Sequence, residues 1–275
     1  MEYNYNQWQT EVIEFWEEAN SKKVDYEDKD NIVQKCLCLA FRDLMVRTMV
    51  KTEENKNKKI VLDNLARQCY KETELGEKIK RWDENISKMD ESSFKDFQKD
   101  LCNMVKVFLK KTYEDNCCTY GKSQKIVNMT FKYLYAYHCS NCNDGRLERF
   151  NHCHMPLDSF ILEWFKLHVL ENVEDTKKVG AWSTIEYKDT DKQFGYEYYY
   201  EEIKEYCNEI RKQDNLDITP LQAEFVIWKN IKKEMAADKF ILAYKKDFEK
   251  GKLHEMSLQE KEEMIHELTI DEYRK

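Results

Sequence analysis

The sequence predicts an all-α fold, on three observations. Only 2 prolines and 6 glycines occur in 275 residues, too few for the tight turns of a β architecture or a Rossmann-type fold. The periodic stretches are filled with Leu, Lys, Glu, Met and Ala, which are good helix formers. Apolar residues recur three and four positions apart, the spacing of one helix face. Hydrophobic content of 41% suffices for a core. No Gly/Ser- or Pro-rich linker divides the chain, so residues 1–275 are expected to form one compact multi-helix unit. Its finest expected subdivision is two lobes flanking a cleft: 1–115 with the C-terminal helices, and 116–235.

Element by element, Trp8, Val12, Ile13 and Trp16 lie on one face of a helix over 5–20. Residues 31–50 are apolar nearly all round and predict a central helix. A solvated turn at 51–58 precedes helices over 59–88 and 92–113, the latter with Ser92 or Ser93 as N-cap. A helix at 122–137 follows the Gly121 turn. Residues 138–155 read as irregular, and Pro156 stands where a helix can begin. Gly180 and Trp182 mark a loop, and 190–213 a Tyr-rich amphipathic helix, which suits a stacking platform or burial against a core. Thr219 and Pro220 read as N-cap and first residue of the next helix. The last 35 residues read as short charged helices, and the Glu-rich stretch 256–273 as a solvated face.

Composition narrows function. Charged residues make up 36% and no window approaches 18 uninterrupted apolar residues, so no membrane span is expected. MEYNYNQWQTE has no signal-peptide character, and a cytoplasmic protein is expected. There the ten cysteines read as thiols or metal ligands rather than disulfides. A net charge of −8 argues against a general polyanion binder. Yet residues 95–135 hold eight lysines against four acids, a local positive strip of the kind that directed nucleic-acid contact needs.

Residues 117–164 carry the most chemistry. Beyond Gly121, Lys125, Asn128 and Lys132 share one helix face opposite Ile126, Met129, Tyr133, Leu134 and Tyr137, read either as a solvated face or as a binding one. Exposed N–H groups at that helix start would suit a phosphate. Asp158, set in Met155-Pro156-Leu157-Asp158-Ser159-Phe160-Ile161, reads as an N-cap or as a carboxylate poised in an apolar setting.

Gly121-Lys122-Ser123-Gln124-Lys125-Ile126-Val127-Asn128, followed by Pro156-Leu157-Asp158-Ser159-Phe160-Ile161, resembles the hairpin-and-helix and the apolar-Asp-Thr-His segment of the helix-hairpin-helix DNA glycosylases. The resemblance spans about 45 residues, with one hairpin glycine where many members have two, and Ser159-Phe160 where Thr-His is usual. The Lys-to-Asp gap is 33 residues, longer than in most members. It implies a DNA repair enzyme that excises a modified base from double-stranded DNA, with or without strand cleavage. Lys125 would be the nucleophile and Asp158 the stabiliser of charge on the sugar. Gln124 and Asn128 would position groups, and Gly121, Lys122 and Lys132 would lie against DNA. Tyr120, Trp164, Trp182, Tyr187 and Trp228 are candidates to line a base pocket. No cofactor is required.

Cys139-x2-Cys142 with Cys153 and His154 offers four ligands for a structural zinc; without metal it is a thiol-bearing loop. Two other functional classes stand beside the glycosylase: a non-enzymatic α-helical interaction protein, and a ribonuclease. For the latter, Arg149-x4-His154 has the spacing that HEPN ribonucleases place on one helix, Arg holding phosphate and His acting as acid or base.

Overall fold

A computed structural model describes residues 3–25, 31–44, 49–85, 89–141 and 146–249, with side chains as far as residue 237. The helices are α1 (Trp8–Ser21), α2 (Ile32–Arg42), α3 (Leu62–Glu72), α4 (Leu75–Glu84), α5 (Glu91–Leu109), α6 (Tyr120–Asn141), α7 (Ser159–His168), α8 (Val173–Thr176), α9 (Tyr196–Asp214) and α10 (Pro220–Glu249). Among the described residues there is no strand, only an isolated antiparallel bridge between Lys51 and Tyr113. The fold is all-α.

The axis of the fold is α6. It is enclosed by α1, α2, α5, the 3₁₀ turn Arg146–His152 and the short turn Trp182–Thr184. On the far side α10 packs across α1 and α7. Buried apolar side chains from Tyr5 to Ile231 join in one contiguous cluster.

Helix ends follow from local side-chain chemistry. Asn31 caps α2 through Gln34 N–H, Asp90 caps α5 through Ser93 N–H, and Asp158 caps α7 through Phe160 and Ile161 N–H, both at 3.0 Å. Thr219 Oγ1 accepts from Gln222 N–H while Gln222 Oε1 accepts from Thr219 N–H, a reciprocal cap that starts α10 at Pro220.

Several expected boundaries move. The helix expected over 31–50 ends at Arg42. The one over 59–88 is two, because Thr73 Oγ1 donates to Cys69 O and accepts from Leu75 N–H, competing with the backbone ladder. α5 is capped by Asp90, not Ser92 or Ser93. Pro156 lies ahead of α7, whose cap is Asp158. α10 runs unbroken to Glu249, and the 256–273 reading lies outside the described residues. No described helix is long and apolar enough to cross a membrane.

Candidate functional site

The polar face of α6 is buried rather than solvated. Lys122, Ser123, Gln124, Lys125, Asn128, Thr130 and Lys132 are all buried. Each polar group taken from water must find a partner, and the partners come from distant parts of the chain. Gln124 Nε2 donates to Leu157 O at 2.9 Å, and its Oε1 accepts from Leu157 N–H at 3.2 Å. Asn128 Nδ2 donates to Gln124 Oε1, Met155 O and Tyr196 Oη, while its Oδ1 accepts from Gln98 Nε2. These two amides pin the 155–157 strap to α6, which sets where Asp158 sits.

Asp158 Oδ2 comes within 3.8 Å of Lys125 Nζ. The other oxygen, Oδ1, holds the two N–H groups at the start of α7, so one carboxyl serves as helix cap and as partner of the amine. Lys125 Nζ also lies 4.7 Å from the Trp182 ring centroid, a cation–π contact. Lys125 and Asp158 line a cavity of about 350 Å³ whose walls include Phe15, Met129, Tyr133, Phe160 and Trp228. Its polar rim adds Glu18, Lys22, Asp43, Lys132 and Glu224. The volume is within the usual range of small-molecule sites.

The carboxyls around this cavity differ in environment. Burial pushes Asp43 above the usual carboxylate range, against the opposing hydrogen bond from Tyr133 Oη at 2.7 Å and the charges of Lys125, Lys22 and Lys132. Burial likewise raises Glu224, against the attraction of Lys132 at 2.5 Å. Lys132 Nζ lies over the rings of Phe15, Phe225 and Trp228 at 4.3, 4.7 and 5.4 Å. Behind Trp228, burial lowers Lys232 to about 8, with its Nζ 3.3 Å from the indole centroid.

Other expected site residues are engaged elsewhere. Gly121, in the first turn of α6, donates its N–H to Ile185 O at 2.8 Å, and a Cβ there would lie 2.0 Å from Trp182 O. Glycine is required by this close approach of two backbones, and the covered N–H is not open to a phosphate. Lys122 is turned inward, its Nζ donating to Cys117 O at 2.8 Å, because the first turn of α6 is covered. Lys132 is neutralised by Glu224 and faces the cavity rather than outer solvent. The positive strip is matched by acids remote in sequence: Lys95 by Glu197 and Glu201, Lys106 by Glu186, Lys111 by Glu72, and Lys110 by nearby Asp115. Of the candidate pocket aromatics, Trp228 lines the cavity and Trp182 underlies Lys125. Trp164 is sealed in the core, and Tyr120 packs on Tyr187 and Tyr196 away from it.

Asp43, Glu224 and Phe15 were not anticipated. Asp43 ends an apolar helix and Glu224 stands between Ala223 and Phe225. An acid inside an apolar helix face is the one sequence signal that could have found them.

Of the proposed zinc ligands, Cys139, Cys153 and His154 are described. Cys142 lies outside the described residues. Among the described residues no group of three or more His, Cys, Asp or Glu is placed to hold a metal. Burial pushes the Cys139 and Cys153 thiols up. Tyr196 Oη accepts from Asn128 and Gln98, so its own proton goes to His154 Nδ1 at 2.8 Å. His154 is buried, stacked on Tyr200 at 3.8 Å, and lowered to about 3 by burial. Arg149 and His154 do not share a helix either. Arg149 sits in the 3₁₀ turn and donates to the carbonyls of Trp82 and Asp83, and His154 follows that turn in the core. A phosphate-holding Arg beside a titrating His is therefore not assembled.

No protein-family model, curated protein or solved structure matches the chain. Function rests on the residues themselves.

Proposed function

We propose that the protein is an N-glycosylase with lyase capability, acting on a modified base in DNA. The observation that carries this reading is the Lys125–Asp158 pair, 3.8 Å apart in one aromatic-walled cavity. Breaking an N-glycosidic bond develops positive charge on the sugar, and a fixed carboxylate beside C1′ stabilises it. Asp158 is fixed by its cap bonds and by the Gln124–Leu157 clamp. An amine beside it attacks C1′ and leaves a Schiff base, which permits strand cleavage. Phe15, Phe160 and Trp228 offer faces on which an extruded base stacks. Gln124 and Asn128 act as positioning residues. Phosphate contacts have to come from cations outside the 95–135 strip, whose charges are largely spent within the fold.

The paired state of that strip favours a second reading, a non-enzymatic interaction protein. The two separate in one experiment. Duplexes carrying oxidised guanine, alkylated adenine, uracil or an abasic site are incubated with the protein under borohydride. A covalent adduct supports the glycosylase; absence of adduct, base release and DNA binding at low salt supports the interaction protein.

A further inference from the structure

Asp43 is one of three carboxyls on the cavity, with Glu18 and Glu224, that the glycosylase reading leaves unused. It closes α2 at the C-cap, on a wall of the cavity that also holds Lys125 and Asp158. Its Oδ2 is held by Tyr133 Oη at 2.7 Å, and among the described residues no group is hydrogen-bonded to its Oδ1. We propose that Asp43 is the proton shuttle of this site, taking a proton from the Lys125 ammonium and passing it to the nitrogen of the departing base. This inference rests on the glycosylase reading.

Two carboxyls in one site with different environments are the usual arrangement for dividing acid–base work from charge stabilisation. Asp158 is held by two backbone N–H groups and lies beside an amine, which fixes its place in the cavity. Among the described residues no backbone N–H donates to the Asp43 side chain, and burial raises its carboxyl, which favours its taking up a proton. The groups facing it are Lys22 beyond the end of α1, with Lys125, Lys132 and Tyr133 from α6. Across the cavity stand Glu18 of α1, Asp158 at α7 and Glu224 of α10.

The proton count closes. Lys125 ammonium gives one proton to the Asp43 carboxylate and becomes a neutral amine. The amine forms a bond to C1′ as the C1′–N bond breaks, and that bond's electron pair goes to the base nitrogen. The nitrogen takes the proton from Asp43, which returns to carboxylate. The products are the free base and a protonated Lys125–C1′ adduct, with net charge unchanged.

A base already carrying positive charge, such as N7-methylated guanine, departs neutral without a donated proton. That provides the test. Asp43→Asn keeps the side-chain shape and the acceptor for Tyr133. Duplexes carry uracil or oxidised guanine as neutral leaving groups, N7-methylated guanine as a charged one, or an abasic site. In Asp43→Asn, release of the neutral base accepted by the wild type is expected to fall about 100-fold, the lower end of general acid–base contributions. Release of N7-methylated guanine, which still needs the Lys125 proton taken but no proton given to the base, is expected to fall less than release of the neutral base, and Asp43→Glu to restore part of the loss on the neutral base. Equal losses on both kinds of leaving group, as misfolding would give, overturn the inference. So does neutral-base release at the wild-type rate. A wild-type protein that neither releases a base nor traps at an abasic site under borohydride overturns the glycosylase reading, and this inference with it. A wild type that does both while Asp43→Asn matches it overturns the shuttle alone.

Discussion

The buried ion pair between Lys132 and Glu224 is open to a quantitative test. The charges are 2.5 Å apart and each side chain is 2% exposed. At an effective dielectric near 20, their attraction is about 7 kcal/mol, most of it offset by removing both groups from water. Replacing Lys132 with Met keeps an apolar stem among Phe15, Phe225 and Trp228 but leaves Glu224 alone. Breaking a buried pair on one side costs about 3–5 kcal/mol. For a chain of this size that corresponds to a fall in Tm of roughly 10 °C. Lys132→Met with Glu224→Leu removes both charges and is expected within about 1 kcal/mol of wild type, or above it. The sign with pH follows from Glu224. An acid raised in the folded state binds more protons there than when unfolded, so stability falls as pH rises above its ordinary 4.5. The Lys132→Met penalty therefore shrinks towards acid pH. Urea unfolding of both variants from pH 5 to pH 8 reads all of this. A single variant as stable as wild type at pH 8, or a double variant as damaged as the single, refutes the reasoning.

Three further outcomes are expected. Gly121→Ala sets a Cβ 2.0 Å from Trp182 O and should destabilise by about 1–3 kcal/mol or more, read as a lower urea midpoint with unchanged slope. His154 is neutral in the fold down to about 3, against an ordinary 6.5. The unfolded chain thus binds the extra proton first, and stability is lost as pH falls from 6.5 towards 3, by about 4–5 kcal/mol at the limit; His154→Gln should flatten that acid limb. Asp158→Asn retains an N-cap acceptor and should change stability little, whereas Asp158→Ala should cost about 1 kcal/mol, with base release falling in both.

The fold was legible where a residue acts locally. Thr219 and Pro220 announced the start of α10, and Asp158 was readable as a cap, because capping depends on residues two or three positions away. The sealed polar face of α6 was not legible. Lysine and asparagine at helical spacing look solvated until Glu224, Tyr196 and the 155–157 strap are known to cover them, and those lie 27 to 92 residues away. The adjacency of Lys125 and Asp158 was an expectation carried by family resemblance, since spacing cannot state a distance across 33 residues. The acids that pair with Lys95, Lys106 and Lys111 are likewise remote in the chain.

Borohydride trapping on a panel of base-modified and abasic duplexes, with the adduct mapped by peptide mass spectrometry, bears on the paired amine and carboxylate without intermediary assumptions. The expected result is a covalent adduct on Lys125, absent in Lys125→Gln, with base release diminished in Asp158→Asn. An adduct on another lysine, or no adduct and no base release with any duplex, would contradict the assignment of Lys125 and Asp158 as the reacting pair.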